Sequence, residues 1–162
     1  MTLRRNPFPP CLLERLFDNE PKVESEVWDK YHFDSRAMRA VVQRNIAELL
    51  NTANFEERLD ENRHREIFSS TLNYGISPLI GGYAASHSWN DLEIKIRNAL
   101  LRFEPRLIAD SIVIVPSGEV LSPVHHGIIN FDIYGLIDWH PQPVDLAIKA
   151  RYDIETDRAG LS

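Results

Sequence analysis

The chain has 162 residues, 43% of them hydrophobic, a net charge of −6 and one cysteine. That is enough apolar material to bury one sizeable core, which excludes disorder throughout and favours a single compact domain with a tail over two domains. Lys and Arg are scattered among acids at a pI near 5.5, which argues against nucleic acid as a partner; Cys11 alone excludes an internal disulfide framework or a CxxC site; and no stretch approaches the roughly 18 apolar residues of a membrane span. A soluble, cytoplasmic protein with no membrane insertion is expected.

Residues 1–34 read as an N-terminal arm. Pro7-Phe8-Pro9-Pro10 prevents regular helix, and Leu12, Leu13, Leu16 and Phe17 give residues 11–17 a short helical face. Residues 18–34 are acidic and turn-rich, with Val27, Trp28, Tyr31 and Phe33 as intermittent anchors to the parent domain or to a partner. From Ser35 the period becomes helical. Met38, Val42, Ile46, Leu49, Leu50 and Ala53 place one apolar stripe along about five turns, with Ser35 or Asp34 as the cap.

Residues 55–66 are densely charged and read as a solvated loop or surface helical turn with local ion pairs, in preference to an acidic substrate or metal site. In Leu72-Asn73-Tyr74-Gly75 the glycine suits a helix C-cap or a positive-φ turn, and Gly81-Gly82 lacks the Lys-Ser/Thr end of a phosphate loop. A second long helix starts after Ser88, whose spacing to Asp91 resembles a capping box. Its stripe is Leu92, Ile96, Ala99, Leu100 and Phe103. Ile94 and Leu101 make a second, narrower stripe, so two partners are expected for this helix, a sheet and the first long helix.

Pro105 stops that helix at Phe103 or Glu104, and beyond it the hydrophobic period changes from 3.6 to 2. Residues 111–115 read as a strand ended by Pro116-Ser117-Gly118, and residues 120–127 carry no clear period. Ile129, Phe131, Ile133, Gly135 and Ile137 alternate with more polar neighbours; so do Val144, Leu146, Ile148, Ala150, Tyr152 and Ile154 after the break at Trp139-His140-Pro141. The expected fold class is α+β: two main helices packed on a small C-terminal antiparallel β-sheet, with a helical and extended N-terminal arm. The boundaries are 1–34 for the arm, 35–156 for the domain and 157–162 for a frayed tail.

Chemistry finds little support in these residues. Glu104 with Asp110 or Asp132 would supply the carboxyl pair of a glycoside hydrolase, but pairing of Glu104 with Arg106, or with a base of a partner protein, to order the helix-to-sheet junction accounts for it more simply. His125 and His126 point to opposite faces if on a strand, and no ligand cluster surrounds them. No nucleophile elbow, H-E-x-x-H pair or catalytic-cysteine signature occurs. No enzyme, metal or cofactor is expected.

The helix running into Phe103-Glu104-Pro105-Arg106-Leu107, the strands after it and the run Leu146 to Thr156 resemble the lysozyme-like baseplate wedge family of contractile phage tails. Leu12-Leu13-Glu14-Arg15-Leu16 with Glu20-Pro21, the stretch Val41 to Thr52 and Leu72-Asn73-Tyr74-Gly75 are similar to its type VI secretion branch, the baseplate protein that initiates the sheath. The resemblance spans residues 12–156 and departs at 55–66 and at Val120 to Gly127. It implies a structural component whose partners are baseplate wedge proteins and contractile sheath subunits, with inner tube or spike proteins beside them. It also implies that Glu104, Pro105 and Arg106 make baseplate contacts. An exposed terminal strand suits strand sharing, which would place Leu146, Ile148, Ala150 and Tyr152 at a partner interface. The rival readings are a regulatory anti-adaptor, to which the same family resemblance extends, and a peptidoglycan hydrolase.

Overall fold

The computed structural model describes residues 34–60, 62–78, 89–117, 124–125 and 127–161, together with Leu12, Lys22 and Glu24. Apart from Leu12, the expected arm helix at 11–17 lies outside these residues, as do the anchors of 27–33, the Ser88 cap, Gly81-Gly82 and His126. Helix α1 spans Ser35–Leu50, a single turn α2 spans Arg65–Phe68 and helix α3 spans Trp89–Phe103. Strands β1 (Val113–Pro116), β2 (Val124–His125), β3 (Ile128–Ile137), β4 (Val144–Asp153) and β5 (Arg158–Leu161) follow.

Asp34 caps α1, its carboxylate accepting from the Ala37 amide at 2.7 Å. The apolar stripe then buries Met38, Val42, Ile46, Leu49 and Leu50 as the spacing predicts, whereas Ala53 lies past the helix end and is exposed. α3 buries Leu92, Ile96, Ala99 and Leu100. Its chain ends as a helix at Phe103, because Pro105 disfavours helical geometry for Glu104. The sheet order is β1-β3-β4-β5, all pairs antiparallel, with β2 continuing the lane of β1 beside β3.

On one face of this sheet Ile129, Phe131, Ile133, Ile137, Val144, Leu146, Ile148, Ala150 and Tyr152 are buried. α1 packs over β4 and β5 and α3 over β1, and the two helices touch each other. The Trp89 ring lies 5.8 Å from that of Phe131, tying the start of α3 to the middle of β3. The result is a two-layer α+β domain.

Two expectations are corrected. The closing residues do not fray: Arg158–Leu161 pairs with Ala150–Asp153 of β4. Asn51, just past α1, imitates a further strand by donating from Nδ2 to the Ala159 carbonyl at 2.9 Å and accepting from the Ala159 amide at 3.0 Å. A short strand whose own residues are weakly apolar thus acquires partners on both sides, which sequence spacing does not reveal. The second correction concerns α3. Sheet and α1 both meet its broad stripe, while Ile94 and Leu101 stay 52% and 48% exposed.

The β4–β5 connection is pinned by Tyr152, whose buried hydroxyl donates to the carboxylate of Asp157, a residue at φ 54°. Burial first, then that hydrogen bond and the charge of Asp157, hold the Tyr152 phenol far above its usual range. The unfolded chain therefore releases this proton more readily than the folded one. The stabilisation is complete below the unfolded tyrosine value near 10 and is lost as pH rises above it, at up to about 1.4 kcal/mol per pH unit. Urea melts between pH 9 and 11.5 should show this decline in the wild type and a shallower one in Tyr152→Phe.

Candidate functional site

Residues Glu104 to Leu107 form a tight turn, closed by the Leu107 amide donating to the Glu104 carbonyl at 3.1 Å. Proline at the second position suits such a turn because its φ is preset. The turn is stitched to the end of β3 on its far side. Ile108 donates to the Leu136 carbonyl and Asp138 to the Arg106 carbonyl, each at 2.8 Å, and Leu107 bridges Ile137. The corner therefore sets the angle between α3 and the sheet.

Within it Glu104 is 3% exposed. Arg106 meets it fork to fork, Nε donating to Oε1 and Nη2 to Oε2, both at 2.6 Å. The Arg106 side chain is itself only 14% exposed. With the Asn45 carboxamide oriented to satisfy both its ends, Asn45 Oδ1 accepts from Arg106 Nη2 at 2.6 Å and its Nδ2 donates to the Val41 carbonyl at 3.2 Å. The pair thus links α1, the end of α3 and the β3 terminus. Tyr74 closes the cluster, its ring edge-on to Phe103 at 5.2 Å. Its hydroxyl donates to the Asn45 carbonyl at 3.4 Å. Burial, followed by the nearby charges of Glu48 and Glu104, raises the Tyr74 pKa, and Arg106 opposes the shift.

Glu104 and Arg106 are therefore spent on each other, which decides between the two bases the junction reading allowed, and the carboxylate is an ion-pair acceptor. Pro105 is exposed at the tip of the turn and Arg106 half-buried behind it. Sequence reasoning missed Asn45 as the third member. The signal was present: Met38, Val42, Asn45 and Leu49 follow i, i+4, i+7, i+11, so a polar residue stands in an apolar stripe and needs a partner.

A second feature is the edge of the sheet. β5 pairs only with Ala150–Asp153, leaving Val144–Lys149 of β4 without a strand on that side among the described residues. The Ala159 main-chain groups point to Asn51, away from β4, which fixes the alternation of the ladder. By that alternation Asp145, Ala147 and Lys149 turn their main-chain groups to the open side. Leu146, Ile148, Ala150 and Tyr152 turn their side chains into the core and their main-chain groups to β3. Beyond Asn51's contact, the β5 edge is capped at Ala159, so the first half of β4 is the longer free edge at this end of the sheet.

Among the described residues no group of three or more His, Cys, Asp and Glu is arranged to hold a metal ion. The charged stretch 55–66 is mostly exposed and forms one 3₁₀ turn at Glu56–Arg58 before α2. Its Glu57 and Glu56 stand 3.6 and 3.9 Å from Lys95 and Arg102, so its ion pairs reach across to α3 and are not the local ones expected of it. No helix among the described residues is long and apolar enough to cross a membrane.

The described residues thus form an α+β domain whose Glu-Pro-Arg corner joins its long helix to an antiparallel sheet. Comparison with protein families gives the corresponding assignment. The family model described as "Baseplate wedge protein gp25" matches residues 36–142, from the first turn of α1 to the loop before β4. The match covers more than half of the chain, which belongs to this family of structural baseplate wedge components. Neither the curated proteins nor the solved structures include a match.

Proposed function

We propose that this chain is the baseplate subunit of a type VI secretion system that docks to other wedge proteins and starts the contractile sheath by accepting a sheath strand on its own sheet. The observation that carries the reading is the edge at Val144–Lys149, which no strand among the described residues pairs. An unpaired edge beside a rigid two-layer core offers main-chain hydrogen bonds for affinity, and outward side chains such as Ala147 and Lys149 set the register. The Glu-Pro-Arg corner serves the other contact. Pro105 and the outer face of Arg106 meet the wedge, while Glu104 and Asn45 hold Arg106 from behind. Assembly takes place in the cytoplasm, with sheath subunits and wedge proteins as direct partners and inner tube or spike proteins as neighbours.

Hydrogen exchange on the full chain with and without a sheath subunit tests the strand. Added protection is expected at the amides of Asp145, Ala147 and Lys149. Ala147→Pro removes a donor from the open edge without touching the bonds to β3, and an edge position tolerates proline. The variant should keep its melting behaviour yet lose the sheath subunit in a pull-down. Unchanged exchange at all three amides, or undiminished capture by Ala147→Pro, would refute strand acceptance here.

A further inference from the structure

Asp145, Ala147 and Lys149 stand at alternate positions along the uncovered half of β4, all three exposed, with their side chains on the sheet face turned away from α1 and α3. Their neighbours across the ladder on β3 are Leu136, Tyr134 and Asp132. Leu136 offers Asp145 no opposite charge. Asp132 makes no ion pair with Lys149, and its Oδ2 accepts instead from the Tyr134 hydroxyl at 3.3 Å. Among the described residues, neither Asp145 nor Lys149 has an ion-pair partner.

Between the two charges Ala147 ends an apolar row, in which Val113, Tyr134 and Ala147 stand side by side on β1, β3 and β4. Val113 and Tyr134 are 48% and 43% exposed. The small side chain of Ala147 makes the end of that row a notch. On the other face Leu146 and Ile148 are buried. From Asp145 to Lys149 the edge therefore presents an anion, a core residue, a notch, a core residue and a cation. The opposite edge, at β1, is blunted: Pro116 has no N–H to give, and the Ile112 carbonyl just before the strand already accepts from Arg97 Nη1 at 2.9 Å.

We infer that the strand accepted here runs antiparallel to β4 and carries at alternate positions, in its own chain order, a carboxylate opposite Lys149, a large apolar side chain opposite Ala147 and a cation opposite Asp145, with apolar residues between them; this rests on the strand acceptance proposed above. Every pair in this sheet is antiparallel, including β5 on the same side of β4. In that arrangement the three residues whose main-chain groups face the open side each stand directly opposite one residue of the incoming strand. Their Cβ atoms are then about 5 Å apart, close enough for opposite charges to attract and like charges to repel. A strand with the reverse charge order sets carboxylate against Asp145 and cation against Lys149. One slipped by two residues loses both ion pairs, and one slipped by a single residue turns its charges into the core. The edge charges thus exclude wrong strands as well as admit the right one.

The probes are two short peptides, methylated at the amides that would face away from β4 so that neither self-associates. One is centred on Glu-Val-Tyr-Val-Lys and the other on Lys-Val-Tyr-Val-Glu. Fluorescence anisotropy with the full chain should show the glutamate-first peptide binding at least about fivefold more tightly. In Asp145→Lys/Lys149→Asp the preference should invert with circular dichroism unchanged, because both positions are exposed. Ala147→Pro should bind neither peptide. Equal binding of the two peptides, binding of neither, or a preference that survives the charge exchange would overturn the inference; sheath capture that Ala147→Pro abolishes would then show that the edge accepts a strand of other chemistry. Inversion of the preference in a chain that captures no sheath subunit would uphold the charge order and remove the sheath as the source of the strand.

Discussion

Arg106→Ala is expected to destabilise the domain by about 3 kcal/mol, a drop of roughly 6–12 °C in Tm for a chain of this size. The cause is the charge left behind. Glu104 is 3% exposed and accepts its two shortest bonds from the lost guanidinium. An isolated buried carboxylate has no water to replace them. Arg106 also bridges to Asn45, so α1 loses its tie to the corner in the same step. Glu104→Gln should cost less, about 1–2 kcal/mol, since Arg106 keeps Asn45 and its partial exposure gives it access to water. The paired replacement Glu104→Leu with Arg106→Met should recover most of the loss, because a buried ion pair and a well-packed apolar pair are close in net free energy. That double variant separates stability from docking. If the corner meets the wedge through Arg106, a folded double variant will fail to enter the baseplate; a folded variant that assembles normally would show that the pair serves the fold alone. Thermal melts and pull-down with wedge proteins read the two quantities separately.

The same corner shows what residue spacing can and cannot convey. The change from period 3.6 to period 2 across Pro105 is written in local chemistry, and it placed α3, β3 and β4 to within a residue or two, while the stripe read for α1 ran three residues past its end at Leu50. That Glu104 sits in an ion pair was legible because two opposite charges flank a turn that must pack, but the spacing left Arg106 and a partner's base as alternatives and only the fold decides for Arg106. Asn45 was not legible, because its partner lies about sixty residues downstream and only the folded chain brings them together. β5 failed for the same reason. Arg158-Ala159-Gly160-Leu161 has almost no β-propensity of its own, and its order comes from Asn51 across 108 residues of chain and from the length of β4. The open half of β4 follows from that mismatch in length: a ten-residue strand beside a four-residue one leaves an edge. In α3 the second stripe was visible in the spacing, but the partner expected for it is not: sheet and α1 both meet the broad stripe, and Ile94 and Leu101 stay half exposed.

Gly75→Ala should be the most damaging small substitution in the domain, costing about 3 kcal/mol or more. Gly75 sits at φ +116°, a conformation that side chains with a Cβ rarely adopt. A Cβ built there would come within 2.0 Å of the Thr52 carbonyl oxygen and 2.7 Å of its carbon. Those atoms are backbone, so no rotamer change relieves the contact. The same carbonyl accepts from the Ile76 amide at 2.9 Å, and the Asn54 amide donates to the Ile76 carbonyl at 3.1 Å, forming the bridge that fastens the chain after α1 to the segment beside α3. Separating Gly75 from Thr52 would therefore break that bridge and loosen Tyr74, whose ring rests on Phe103 at the end of α3. The damage should reach the Glu-Pro-Arg corner through Tyr74 and Asn45. Exchange at the Ile76 and Asn54 amides should rise first, with the Leu107 amide following, whereas the open edge at Asp145, Ala147 and Lys149 should exchange as in the wild type. A Gly75→Ala variant that melts within 2 °C of the wild type would mean the two segments can part without cost, which a 2.0 Å approach to a main-chain oxygen does not allow.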